Sequence, residues 1–306
     1  MKIGEGSHKY ELVEGWGSLP DERAYGYTHG VVEDAKGRIY IHNQSKHSVC
    51  LFDPEGNFLG SWGEAYAAGA HGMHLSKEKD GEYLYLSTTG QRMVVKTTLD
   101  GKVLWSVSTP PRSDIYDSDK KLFSPTETAV GPNGKVYVAD GYGQPWIHVY
   151  SLNGEYEKSF GGPGSAEGQL SNCHGIMIDT RGKEPLVLVS DRGNSRLQYF
   201  SLEGKFVRMS AAGIVLKPCT TIQYKDELYI PDLYSRITIL DKNDKLVCHV
   251  GERVEGYKID GWPNIKKELR RPGTFTSPHG LHVDRQGTIY LVEWISDGRV
   301  TKLKRV

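Results

Sequence analysis

Short apolar runs alternate with polar turns along the whole chain, and this pattern repeats about six times. Each unit opens with a small motif, often His-Gly, and continues into an apolar strand that ends on a polar residue. A Gly turn follows, then a second strand of the form I-Y followed by two apolar residues, ending on an acidic or polar side chain. A third apolar strand, another Gly turn and a fourth strand complete the unit. Unit one reads THGVVEDAKGRIYIHN from Thr28, and unit two AHGMHLSKEKDGEYLYLST. Units three and four begin SPTETAVGPNGKVYVAD and CHGIMIDTRGKEPLVLVSD. Units five and six begin KPCTTIQYKDELYIPD and SPHGLHVDRQGTIYLVE. A period of ~40–50 residues carrying four strands is the pattern of a β-propeller blade. Unit six reaches Val306 after only three strands. The segment Tyr10–Gly17 resembles Phe58–Gly63, the fourth strand of unit one, and is predicted to complete the last blade and remove an exposed edge. The expected architecture is all-β: one six-bladed propeller domain over residues 1–306, with four-stranded blades and the last one closed by the N-terminal strand.

Composition agrees with this pattern. Glycine contributes 36 of 306 residues and tyrosine 18, which favours short strands and tight turns over long helices. Lys+Arg and Asp+Glu are both 38, so the net charge is zero. A protein built to hold nucleic acid or an anionic membrane needs a basic excess, so neither partner is expected. No apolar run approaches the ~18–20 residues of a membrane span. The opening MKIGEGSHKYELVEG has no apolar stretch of the signal-peptide kind, so a cytoplasmic location is expected, or a secreted one if a leader has been trimmed away, and a monomer is expected. Cys50, Cys173, Cys219 and Cys248 form no CxxC pair and are too few for a disulfide scaffold. The long connection at 252–276, which contains KKELRRP, is read as a solvated face, although loops of this length usually have a task such as covering a site.

The first strand of a propeller blade lines the central channel, so the starts of the six first strands should converge. Alignment through the second-strand ends (Asn43, Thr88, Asp140, Asp191, Asp232, Glu293) gives His29, His71, Thr126, His174, Cys219 and His279 at those starts. His71, His174 and His279 lie on alternate blades, and three converging imidazoles suit a divalent transition metal with open positions left over. A single histidine in such a place would be read as a strand cap. His29 stands beside this triad as a further ligand or a substrate contact. Cys219 also occupies a blade start, so a thiolate near the metal stays open, whereas Cys173 is expected to be a buried small residue. Tyr142 and Arg192 follow the second-strand ends of blades three and four. A phenol near a cation loses its proton more easily and can act as a base, but packing beneath a loop is the other reading of Tyr142. The acids that end the second strands are read as structural.

These motifs resemble the NHL-repeat propellers and, among them, the peptidyl-α-hydroxyglycine α-amidating lyase family. The likeness covers all six blades and is sharpest in AHGM of blade two, PTETAV with DGYG of blade three, CHGI with SDRGNSR of blade four and PHGL of blade six. It implies a zinc held by His71, His174 and His279, a catalytic tyrosine at Tyr142 and a functional arginine at Arg192. The pattern departs in two places. The family has a second arginine where this chain has His42-Asn43, and an Asp where it has Gly280. The resemblance therefore implies a metal-dependent, lyase-like enzyme whose substrate is a small hydroxylated or carbonyl compound other than peptidyl-α-hydroxyglycine. His29, Asn43 and Cys219 are the expected substrate contacts. A non-enzymatic propeller binding protein or glycan, and a lactonase-like hydrolase, are the alternatives. The latter usually holds a hard cation on carboxylate and Asn ligands, unlike the imidazoles here.

Overall fold

The computed structural model describes residues 1–20 and 23–306. The fold class is an all-β six-bladed propeller, and every sheet is an antiparallel ladder of sequence-consecutive strands, apart from the closure of the last blade. The strands group into two compact units, residues 68–213 and residues 1–67 with 214–306.

The unit of residues 68–213 holds blades two, three and four. Their first strands are Ala70–Glu78, Glu127–Val130 and Cys173–Asp179. Their second strands, Gly81–Thr88, Lys135–Ala139 and Leu186–Asp191, are apolar and buried through their central residues. Both faces of a blade pack on something, so the central strands read as continuous apolar runs rather than as alternations. Tyr137, Ile147, Phe160, Val187, Val189 and Phe200 fill the space between blades three and four.

The other unit holds blades five, six and one, with first strands Ile222–Tyr224, Pro278–Val283 and Thr28–Glu33. Blade six is closed as the sequence predicts: His8–Val13 pairs antiparallel with Arg299–Arg305, with Tyr10 opposite Arg305 and Leu12 opposite Leu303. Two details differ from the expectation. Lys2–Glu5 adds a fifth strand at the outer edge. Trp16 leaves the strand and turns inward, its ring 4.9 Å from that of Tyr290 and its Nε1 donating to the Pro54 carbonyl. The closing strand is anchored by Tyr10, which is fully buried with Tyr229, Leu281 and Leu303.

The repeated tyrosine of the second strand (Tyr40, Tyr85, Tyr137, Tyr229, Tyr290) is buried in all five blades that carry it. The acid at the end of the second strand is structural in each case. Asp140 accepts from the Ser124 and Gln144 N–H groups, Asp191 from Ser171, Asp232 from Leu216 and Lys217, and Glu293 from Thr276 and Ser277. Each carboxylate thereby fixes the chain that enters the first strand of its own blade. Those entries carry the candidate functional residues.

Candidate functional site

The four His-Gly starts share a backbone device. The ladder between the first and second strands shifts register between Thr28 and Gly30, between Ala70 and Met73, between Cys173 and Gly175, and between Pro278 and Gly280. His29, His71, His174 and His279 all sit at these irregularities. A bulge leaves a residue outside the ladder and re-aims its side chain, a common arrangement beside functional sites. The glycine that follows lets the next blade approach. A Cβ at Gly72 would lie 2.3 Å from the Thr126 carbonyl oxygen, and one at Gly280 would lie 2.2 Å from that of His29. The same two carbonyls orient the imidazoles. His71 Nδ1 lies 2.8 Å from Thr126 O, and His279 Nδ1 lies 3.2 Å from His29 O. A carbonyl can only accept, so in both rings Nδ1 carries the proton and the lone pair is on Nε2.

In the unit of blades two to four, four predicted residues come together. The His71 and His174 rings are 4.8 Å apart, and the Tyr142 ring meets His71 edge-on at 5.0 Å. Tyr142 OH is 3.2 Å from His174 Nε2. Arg192 Nη2 donates to Tyr142 OH at 3.0 Å, with the guanidinium 5.3 Å from the centre of the phenol ring. Both histidines are buried, whereas Tyr142 is 44% exposed, so the phenol sits where solvent meets the buried imidazoles. A cation donating to the phenol oxygen favours the phenolate.

Sequence reasoning missed the residue that aims Arg192. Asn172 Oδ1 accepts from Arg192 Nε at 2.9 Å, and the Asn172 carbonyl accepts from the Arg192 backbone N–H. Asn172 has a φ of 55°, a left-handed conformation that Asn tolerates better than most residues. An Asn directly before Cys173-His174 was the available signal. Glu127 was missed too. It follows the blade-three start, is buried, accepts from the Thr128 N–H, and burial pushes its carboxyl up to about 8. Cys173 is buried as expected, and burial beside Asp140 and Asp191 raises its thiol well above the usual range.

In the unit of blades five, six and one, the His29 and His279 rings are 4.6 Å apart, and His29 Nε2 lies 3.4 Å from Gln44 Nε2. Cys219 is fully buried, with Sγ 3.8 Å from the Lys217 carbonyl. Asn43 is also fully buried. Its amide donates to the His47 and Ser48 carbonyls and so helps to hold its own turn together. Buried imidazoles and a thiol of this kind could hold a metal ion.

The comparisons agree with this fold. No family model matches the chain. Among curated proteins it is 24% identical to human NHL repeat-containing protein 3 over 200 residues, covering 62% of this chain and 56% of that protein. It is 28% identical to peptidyl-glycine alpha-amidating monooxygenase B of Xenopus laevis over 191 residues, or 58% of this chain and 21% of that protein. The chain thus spans about half the length of the NHL-repeat relative and a smaller part of the monooxygenase. It is homologous to NHL-repeat proteins and, more distantly, to the amidating monooxygenase. Among solved structures, a gluconolactonase from Xanthomonas campestris superposes with a TM-score of 0.65 at 12% identity, over 99% of this chain and 90% of that one. Virginiamycin B lyase from Staphylococcus aureus superposes with a TM-score of 0.60 at 13% identity, over 97% and 100%. At these identities the likeness is one of fold.

Proposed function

We propose that the chain is a metal-dependent enzyme of lyase type acting on a small hydroxylated or carbonyl substrate. The observation that carries this reading is the contact of Tyr142 OH with both His174 Nε2 and Arg192 Nη2. A scaffold has no need of a phenol held between an imidazole and a guanidinium at a solvent-facing blade start. The proposed ligands are His71, His174 and His279, with all six blades acting as one domain. The structure fits a metal in two respects: the residues are buried imidazoles, and the carbonyls opposite His71 and His279 leave the lone pair on Nε2. When bound, a divalent transition metal, zinc by resemblance, supplies Lewis acidity toward a substrate hydroxyl or carbonyl oxygen.

The chain's own residues do the rest. Tyr142, as phenolate, takes the proton of the substrate hydroxyl. The electron pair left on that oxygen forms a carbonyl as the neighbouring carbon–heteroatom bond breaks, and the departing atom takes a proton. Arg192 lowers the cost of the phenolate and, as a planar fork, holds a carbonyl or anionic group of the substrate. Asn172 keeps that fork in place.

The ligand assignment is tested by elemental analysis of protein purified without added metal. Wild type is expected to carry the metal, and His71→Ala, His174→Ala and His279→Ala each to lose most of it while keeping the wild-type circular dichroism spectrum. Full metal content in all three variants would move the site elsewhere.

A further inference from the structure

The unit of blades five, six and one carries a second feature at its blade starts, a continuous strip of aromatic rings. Tyr257 stacks on Tyr234 at 4.0 Å with the planes 9° apart. Tyr234 meets Trp262 at 5.7 Å, Trp262 meets Trp294 at 6.4 Å, and Trp294 meets Tyr27 at 5.6 Å. All five rings are half-buried, so each keeps part of its surface in solvent. The strip adjoins the histidines. Tyr27 lies two residues before His29, and the Trp294 N–H donates to the carbonyl of Ser277, two residues before His279. Tyr234 follows Asp232 at the spacing at which Tyr142 follows Asp140.

The strip is held from behind at two of its five rings, Trp262 and Tyr27, whose polar atoms are engaged there. Trp262 Nε1 donates to the Thr276 carbonyl at 2.9 Å. Asn264 Nδ2 donates to Tyr27 OH, and Asn264 Oδ1 accepts from the Ser296 N–H. Arg270 makes a bidentate pair with Asp297 and so ties the 252–276 connection to the turn after Trp294. At Trp262, in the middle of the strip, the indole N–H is taken up and what is offered is the ring face. Sugar recognition needs hydrogen-bonding edges as well, whereas a flat apolar group needs only the faces. Ordering of the rings before a ligand arrives also removes part of the usual entropic cost of binding.

We propose that this strip is a binding subsite for an aromatic substituent on the substrate, stacked against Trp262 and Trp294 beside His279. The proposal rests on the small-molecule reading of the blade starts but not on the reaction, so it is tested by binding without turnover. Calorimetric titration compares N-acetylphenylalaninamide with N-acetylalaninamide and methyl glucoside. The aromatic probe is expected to bind at least about tenfold more tightly than either of the others. Trp294→Ala and, separately, Tyr234→Ala should each remove most of that preference, while Tyr142→Phe should leave it intact. Two variants from different blades keep the test valid if one disturbs the loop. Equal affinity for the three probes, tighter binding of the glucoside, or a preference unaffected by both strip variants would overturn the subsite. None of these results depends on whether the protein turns over a substrate.

Discussion

Tyr142 and Tyr234 occupy the same place in their repeats, two residues after the acid that ends the second strand, yet they meet opposite surroundings. Tyr142 has His71 and His174 at its edge and Arg192 over its face. Tyr234 lies flat on Tyr257 and edge-on to Trp262. The scaffold position is identical, and the neighbouring loops decide whether the phenol is polarised or stacked. A propeller can therefore vary its chemistry blade by blade without altering the sheet beneath.

The largest expected effect lies in the hydroxyl groups. Tyr142→Phe keeps the ring and removes the ionisable oxygen, so turnover should fall by ~10²–10⁴-fold with metal content unchanged. Tyr234→Phe should change turnover by less than about twofold. A steady-state assay on a panel of α-hydroxy amides, lactones and sugar derivatives checks both, and equal losses in the two variants would erase the distinction drawn above.

Blades four and five also differ in how they neutralise the strand-end acid. Asp191 pairs with Arg196 at 2.7 Å, and both side chains are buried. Asp232 sits 3.4 Å from Arg236, which also reaches Glu252 at 2.8 Å. Asp191→Ala leaves a buried guanidinium without a counter-charge and should cost about 3–5 kcal/mol. Asp232→Ala leaves Arg236 its pair with Glu252 and should cost less. Denaturant unfolding of both variants measures the difference, and a larger loss in Asp232→Ala would reverse the comparison.

A smaller effect is expected from Glu127. Its carboxyl is raised from the ordinary 4.5 to about 8 by burial, so between those pH values the folded chain holds a proton that the unfolded chain releases. Stability should therefore be highest below about pH 4.5 as far as this group is concerned, and should fall as pH rises toward 8. Glu127→Gln keeps the shape and removes the titration. The drop in unfolding free energy between pH 5 and pH 8 should shrink by roughly 3 kcal/mol in the variant. Identical slopes in the two proteins would show that Glu127 does not titrate as its burial implies.

The blades, their order and the closure of blade six by Tyr10–Val13 were legible because burial imposes a short apolar period that recurs with the repeat. The His-Gly starts were legible as a motif, but their cause was not. The bulge at each histidine is a property of ladder register, and the close approach of His29 O to Gly280 depends on how two blades pack. Asn43 shows the limit in another way. Its place in the repeat suggested a substrate contact, whereas the hydrogen bonds of its amide to the 43–48 turn could not be read from the alignment. Asn172 and the aromatic strip escaped notice because they act through contacts between residues far apart in the chain, such as Tyr27 with Trp294, which no local pattern records.

The pairing of His8–Val13 with Arg299–Arg305 has a consequence for the chain's own synthesis. The strand that closes blade six is made before any of the six blades, and its partner only after the other five. Until Arg299–Arg305 has been made, Tyr10 has no completed core to enter, and Leu12 and Val13 have no neighbour across the ladder. The entropy of closing so long a loop grows only logarithmically with its length, so the cost in final stability is modest. The cost in time is larger, because a pairing this distant in sequence cannot nucleate early. The nascent chain must carry an unmatched sheet edge while the rest is being made, and that is the interval in which an aggregating neighbour or a chaperone would meet it.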